Sequence, residues 1–247
     1  ESTTPTRHAH ALDQASREHL LLMPAWNARH IGVKLVTVLP DALQHGGRTV
    51  EASYLLCNRL TGAPLALLDG EALTLRRTAA VSALAAQHLA RADSRTLLLV
   101  GTGRLAPWMV RAHVAVRPTL ERVLVWGRST ARVADMRQQL QDLGVPVVAA
   151  EDLARAVSSA DIVTCAPTSH TAVVLGDWLT PGTHIDLVGA YTSQMRETDD
   201  AAIARSRVFV DDRQSALAEA GDVLQAIASG AVSADHVRGD LRELLRG

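Results

Sequence analysis

The chain has 247 residues, room for one large domain or two smaller ones, and its 47% hydrophobic and 21% charged residues exclude disorder and coiled coil. A formal net charge of −1 excludes the basic footprint of a nucleic-acid or anionic-membrane binder. No apolar run reaches the roughly 18 residues of a bilayer span, and two cysteines, Cys57 and Cys165, outside any CxxC spacing argue against a disulfide framework. These features point to a soluble protein of the reducing cytoplasm, and nothing resembling a signal peptide follows Glu1, whose start reads as a trimmed terminus.

Short apolar stretches at 19–25, 32–39, 50–58 and 63–68 read as strands, the last two joined in a hairpin by Leu60-Thr61-Gly62. Asp69-Gly70 then opens an Ala/Leu-rich helix over about 71–91. After Asp93-Ser94 the pattern changes. Residues 96–100 (TLLLV) are continuously apolar, as in a strand buried on both faces of a parallel sheet. Helix 104–116, strand 122–126, helix 129–143, strand 146–149, helix 151–158 and strand 161–166 follow. Strand 184–188, a helix near 199–205, strand 207–211 and helices from 213 onward complete the series. Such alternation predicts an α/β doubly wound sheet preceded by a smaller, antiparallel α+β region, with the boundary near Arg91–Ser94.

The apolar strand runs into Gly101-Thr102-Gly103-Arg104-Leu105-Ala106, a G-x-G-x-x-A dinucleotide fingerprint between strand and helix. Gly101 suits the tight turn, Gly103 allows close approach of a pyrophosphate, and Ala106 allows the helix to pack on the sheet. The helix N-terminus offers N–H groups to phosphate, and Pro107 suits its first turn. The second strand ends in Arg128-Ser129-Thr130 with no acid to grip a ribose 2′-hydroxyl. Arg128 as a fork for a 2′-phosphate, with hydroxyls from Ser129 and Thr130, favours NADP(H) over NAD(H). Ser129 also suits the cap of the next helix, with Arg128 then merely solvated.

One basic residue stands apart. Of 25 basic residues, Lys34 is the only lysine. It sits in the apolar strand GVKLVTVL, on the face of Val36 and Val38, where it needs a carboxylate partner or a depressed pKa. Arg77 interrupts the apolar stripe Leu73–Val81–Leu84 of the long helix. A guanidinium buried there would bind a substrate carboxylate or form an internal ion pair.

Taken together, LLLMPA (20–25), GVKLVTV (32–38), TGAPLALLDG (61–70), LRRTAA (75–80), GTGRLA (101–106), WLTPGTHIDLVGA (178–190), Arg196-Glu197 and LAEAGD (217–222) resemble the ornithine cyclodeaminase/mu-crystallin family. The resemblance runs from about Pro5 to the end, although members usually continue beyond both ends seen here. It implies a substrate-binding and dimerisation domain over 1–92, joined by 230–247, and a Rossmann domain over 93–229. It also implies a homodimer and hydride transfer between a nicotinamide and the Cα of an amino or imino acid. By the same resemblance Lys34 is the catalytic lysine, Arg77 the carboxylate-binding arginine, and Arg7 a further substrate arginine. Thr78 would follow Arg77 toward the cofactor, Cys165-Ala166-Pro167 would follow an earlier Rossmann strand, and Val188-Gly189-Ala190 would lie along the nicotinamide.

One position departs from the pattern. Cyclodeaminases carry an aspartate after the Gly-Ala pair, where this chain has Tyr191. A phenol is not an ionised carboxylate near neutral pH. With Arg128, this favours an NADPH-dependent ketimine reductase or amino acid dehydrogenase over the lyase that converts ornithine to proline and ammonia. A non-catalytic NADP(H)-binding protein is a further alternative, which the presence of Lys34 and Arg77 opposes. His170, Asp177 and Asp186 are weaker candidates read as solvated, and Glu219 and Asp222 read as helix braces. The histidines show no metal-ligand spacing, so no metal is expected.

Overall fold

The computed structural model describes residues 2–12 and 18–246. The chain divides into two compact units, Glu1–Arg77 and Thr78–Gly247.

The first unit is an antiparallel sheet in the order β1-β2-β3-β4-β5. Its strands are β1 (His8–Ala11), β2 (His19–Trp26), β3 (His30–Val38), β4 (Val50–Asn58) and β5 (Pro64–Asp69). The expected hairpin forms at β4–β5, and Asn58 Oδ1 accepts from the backbone N–H of Leu60 and Thr61 to close its turn. Asp69 Oδ1 accepts from Glu71 N and Ala72 N, both at 2.9 Å, and so starts helix α1 (Gly70–Leu89). Sequence periodicity places a domain boundary after this helix, near Arg91. Contacts instead divide the chain within it, because Ala79, Ala83, Ala86 and Ala90 are buried while its opening turns belong with the first sheet. Residues 230–247 likewise group with the second unit rather than the first.

The second unit holds a parallel sheet in the order β10-β9-β6-β7-β8. Its strands are β6 (Thr96–Val100), β7 (Arg122–Trp126), β8 (Val147–Ala149), β9 (Ile162–Cys165) and β10 (His184–Leu187). The crossover helices are α2 (Ala106–Val116), α3 (Thr130–Gln139) and α4 (Leu153–Ser159). Period-two alternation sends Leu97 and Leu99 to one face, against Ala106, Val110, Val133, Met136 and Leu140. Leu98 and Val100 take the other face, against Ala156, Val157, Val163 and Val174. Every residue of β6 is buried, as its unbroken apolar run requires. From β6 the order runs out through β7 to β8, then reverses to β9 and β10. That reversal is where doubly wound folds open a ligand crevice.

Beyond this sheet come α5 (Asp200–Arg205), β11 (Val208–Val210), α6 (Arg213–Glu219), α7 (Gly221–Ala228), β12 (Val237–Asp240) and α8 (Leu241–Arg246). The sequence reading missed β1 and β12. Strand β1 (HAHA) is exposed throughout and lacks an apolar signal, so only pairing with β2 makes it a strand. Likewise β12 exists through its parallel pairing with β11. No helix of the described residues is long and apolar enough to cross a membrane.

Candidate functional site

Each unit carries one set of candidate residues. In the second, Gly101 ends β6 with φ +110°, a left-handed conformation that favours glycine, and its N–H donates to Trp126 O at 2.9 Å. A Cβ there would lie 3.2 Å from the Ala166 and Pro167 backbone, so the turn is pressed against the chain leaving β9. Gly103 differs. A Cβ on Gly103 would meet only Ala166 O, at 4.0 Å, leaving the open cradle that a pyrophosphate needs. Helix α2 begins just beyond, with Pro107 in its first turn and no side chain capping its N-terminus, so its positive end is available to an anion. Ala106 is fully buried against the sheet. Thr102, Arg104 and Leu105 complete the loop, and Thr102 packs against Gly127 at the end of β7, where a Cβ would lie 2.9 Å from Thr102 Cγ2. The loop therefore fits a dinucleotide.

At the end of β7, Arg128 is exposed and makes no ion pair with a carboxylate among the described residues. Ser129 caps α3, its Oγ accepting from Arg132 N at 3.4 Å, and Thr130 begins the helix. Cys165, Ala166 and Pro167 leave β9 at the switch point. Cys165 O accepts from Val188 N and Val100 O from Ala166 N, which stitches Val188 beside the fingerprint strand. The Cys165 thiol is fully buried, and burial holds its pKa well above the ordinary range, so it is inert.

Gly189 and Ala190 are held by a residue that the sequence reading quoted without assigning a role. Glu197 is fully buried, and its Oε2 accepts from Gly189 N at 2.6 Å and Ala190 N at 3.3 Å. Its Oε1 has no partner among the described residues. Burial and then the charge of Asp222 push its pKa well above the carboxylate range, against the two N–H donors. Burial thus favours the protonated form of the acid that clamps this loop. Asp222 braces the same segment, as expected, with Oδ1 accepting from Glu197 N, Thr198 N and Thr198 Oγ1 at 2.7–3.0 Å.

Asp186 is not the solvated residue that the sequence suggested. It lies on β10 and accepts from Thr164 Oγ1 at 2.8 Å, with His113 Nε2 at 3.4 Å. Burial opposes its charge, but hydrogen bonds from His113 and Thr164 outweigh this and hold its pKa below the usual carboxylate range. Beside it burial lowers the pKa of His184 to about 4, so His184 is neutral. The cluster ties α2 to β9 and β10 inside the core. His170 and Asp177 are exposed, and Tyr191 is 65% exposed.

The first unit carries Lys34. On β3 it shares a face with buried Val36, and its strand neighbours are Met23 and Tyr54. Nζ donates to Thr74 Oγ1 on α1 at 2.6 Å. Burial, then the charge of Arg77, lowers the Lys34 pKa from its ordinary value. The depressed pKa expected from sequence is thus present, and no carboxylate pairs with Lys34 among the described residues. Arg77 itself is exposed, not buried as its stripe predicted. The Arg77 charge acts on Lys34, and a guanidinium left in water avoids the desolvation that burial near a second cation would cost. Arg7, also exposed, precedes β1, and Thr78 follows Arg77 on α1. No group of three or more metal-ligating side chains occurs among the described residues.

Residues 2–247 match the ornithine cyclodeaminase/mu-crystallin family. The chain belongs to this family. It is 40% identical over 250 residues to a Delta(1)-pyrroline-2-carboxylate reductase of Paracoccus denitrificans, a match spanning 97% of this chain and 79% of that protein. Among solved structures it is similar to Thermococcus litoralis Delta(1)-pyrroline-2-carboxylate reductase in complex with NADH and L-proline. That likeness has a TM-score of 0.90 at 30% identity, over 100% of this chain and 76% of the other. An archaeal alanine dehydrogenase dimer with bound NAD aligns with a TM-score of 0.88 at 25% identity, covering 99% and 74% of the two chains.

The Glu197 clamp makes a test of protonation. An acid whose pKa is raised by folding is stabilising below its unfolded pKa and loses that contribution as pH rises toward the folded value. Glutamine cannot ionise, so the stability of Glu197→Gln relative to wild type should increase from pH 5 to pH 8. Thermal unfolding at the two pH values measures it; a pH-independent difference would show that Glu197 is ionised in the native state.

Proposed function

We propose that the chain is an NADPH-dependent imine reductase acting on a cyclic α-imino acid of the Delta(1)-pyrroline-2-carboxylate class. The observation that carries this is Lys34, a half-buried amine whose pKa is lowered by burial and the charge of Arg77, with no carboxylate paired to it among the described residues. Binding a nucleotide requires neither cation. A reductase of an anionic imine uses both, one to hold the carboxylate and one to give a proton. The named relatives that reduce pyrroline-2-carboxylate support the substrate class.

In this reading the loop 101–106 and the N-terminus of α2 hold the pyrophosphate, and Val188-Gly189-Ala190, clamped by Glu197, supports the nicotinamide. The reduced nicotinamide, when bound, supplies a hydride to the imine carbon. Arg77, with Arg7, binds the substrate carboxylate as a bidentate fork, and Thr78 continues its helix toward the cofactor. Lys34 as ammonium donates its proton to the imine nitrogen, so the C=N bond gains one hydride and one proton. A lowered pKa suits an amine that must release a proton. The redox-neutral cyclodeaminase reading is less favoured, since Tyr191 stands exposed where it would need an acid. Glu1–Arg77 would form the substrate and dimerisation part, and Thr78–Gly247 the nucleotide part.

The dimer would use the sheet face opposite Lys34. Register places Leu22 opposite Leu35 and Leu55 opposite Leu67, and Leu35, Leu55 and Leu67 are 40%, 39% and 75% exposed. A continuous apolar face of this kind marks an interface, and a second copy of the chain suits it, as the similar alanine dehydrogenase is a dimer.

Three outcomes are expected. Purified protein should oxidise NADPH with Delta(1)-pyrroline-2-carboxylate, and Lys34→Met should lower kcat by roughly a hundredfold or more; ammonia and proline formed from ornithine without net cofactor change would support the lyase instead. Arg128→Asp should weaken NADPH about tenfold or more while NADH binding holds or improves. Equal losses for the two nucleotides, read by tryptophan quenching, would make Arg128 structural. Light scattering should show a dimer that Leu67→Asp converts to monomer; an unchanged mass would place the interface elsewhere.

A further inference from the structure

The contact between Lys34 and helix α1 has a direction built into it. Thr74 Oγ1 lies 2.6 Å from Lys34 Nζ and 2.6 Å from Gly70 O. A threonine hydroxyl has one proton and two lone pairs. Gly70 O can only accept, so the hydroxyl proton is committed to it, one helical turn back. Toward Lys34, Thr74 is therefore an acceptor and nothing else. We infer that Thr74 is the positioning residue for Lys34: it takes one N–H of the amine and turns the remaining valences away from the helix.

Glycine at position 70 makes this reach possible. A Cβ on Gly70 would lie 2.6–2.8 Å from Ala52 backbone atoms and Cβ, so the opening turn of α1 is pressed directly on β4. Strand β4 pairs with β3 in a register that sets Ala52 opposite Val36 and Tyr54 opposite Lys34. Gly70, Thr74 and Arg77 recur at i, i+4 and i+7, one stripe of the helix. Close contact at Gly70 thus brings Thr74 to Lys34, and the same stripe places Arg77 near enough to depress its charge.

The consequence differs for the two states of the amine. As ammonium, Lys34 gives one N–H to Thr74 and keeps two for a substrate. As neutral amine it can still donate to Thr74, and its lone pair then faces away from the hydroxyl. A proton is thus delivered and regained on the side away from α1. Accepting a hydrogen bond also favours the charged form, so Thr74 opposes the downward pull of burial and Arg77. The groups bearing on the amine are Thr74 and Arg77 from α1, with Met23 of β2 and Tyr54 of β4 as strand neighbours.

This inference rests on the proton-donor reading of Lys34, but it can be tested without activity. Because Lys34 is the only lysine, protein labelled with [13C]lysine gives one lysine side-chain signal, whose pH titration reads this amine directly. Thr74→Val, nearly isosteric and without the acceptor, should move the midpoint down by about one pH unit. Thr74→Ser should restore it. In the NADPH assay with Delta(1)-pyrroline-2-carboxylate, Thr74→Val should lower kcat roughly ten- to hundredfold with little change in KM. The alkaline fall of its kcat profile should move to lower pH, and serine should recover both. An unmoved midpoint in folded Thr74→Val, checked by circular dichroism, would overturn the anchoring whatever the activity. A moved midpoint alongside an active Lys34→Met would uphold the anchoring and overturn Lys34 as proton donor.

Discussion

Burial of β6 on both faces is the constraint around which the nucleotide-binding unit is arranged. Five consecutive buried residues leave the strand no solvent-facing side, so helices must cover each face, and their crossover connections make the neighbouring strands parallel. Leu97 and Leu99 anchor α2 and α3, while Leu98 and Val100 anchor α4. Parallel strands all present their carboxyl ends on one edge. With β6 central, the reversal of strand order falls between β6 and β9, and there the chain turns through Gly101. The anion-binding geometry at α2 is thus a by-product of how the core is covered.

Polar groups inside that core act on the same edge. Asp186, Thr164 and His113 join β10, β9 and α2 below the fingerprint, and Glu197 and Asp222 secure the chain that leaves β10. Buried acids are costly when ionised. The two are handled differently. Asp186 gathers donors that hold its pKa down, whereas burial and the charge of Asp222 push that of Glu197 up. Glu197 Oε2 can accept from Gly189 and Ala190 in either protonation state, so the loop is held by one oxygen throughout.

The first unit uses a different economy around Lys34. An amine placed on the buried face of a sheet without a carboxylate is drawn toward its neutral form, and one hydroxyl orients it. The cost falls on stability, and the return is an amine that releases its proton more readily than an ordinary lysine. The opposite face of the same sheet carries exposed Leu35, Leu55 and Leu67. Strand alternation thus separates a polar task from an apolar one over single-residue steps.

Local sequence by itself determined the order of strands and helices, the fingerprint loop and the oddity of Lys34. Those follow from short-range causes: the burial demanded by TLLLV, the positive φ that Gly101 supplies, and a lone amine among Val33, Leu35 and Val36. Only the tertiary structure decided what neutralises or orients each polar group, because the partners are distant along the chain. Thr74 reaches Lys34 from 40 residues away, and Asp222 reaches Thr198 from 24. Arg77 illustrates the limit. Its helical stripe predicted burial, but the side chain is exposed, and its charge acts on Lys34 of the neighbouring sheet. Strands β1 and β12 were illegible for a related reason, since neither has an apolar pattern of its own and each takes its form from the strand beside it. Periodicity reports the face a residue turns to the core; charge balance and pairing depend on what the fold brings opposite it.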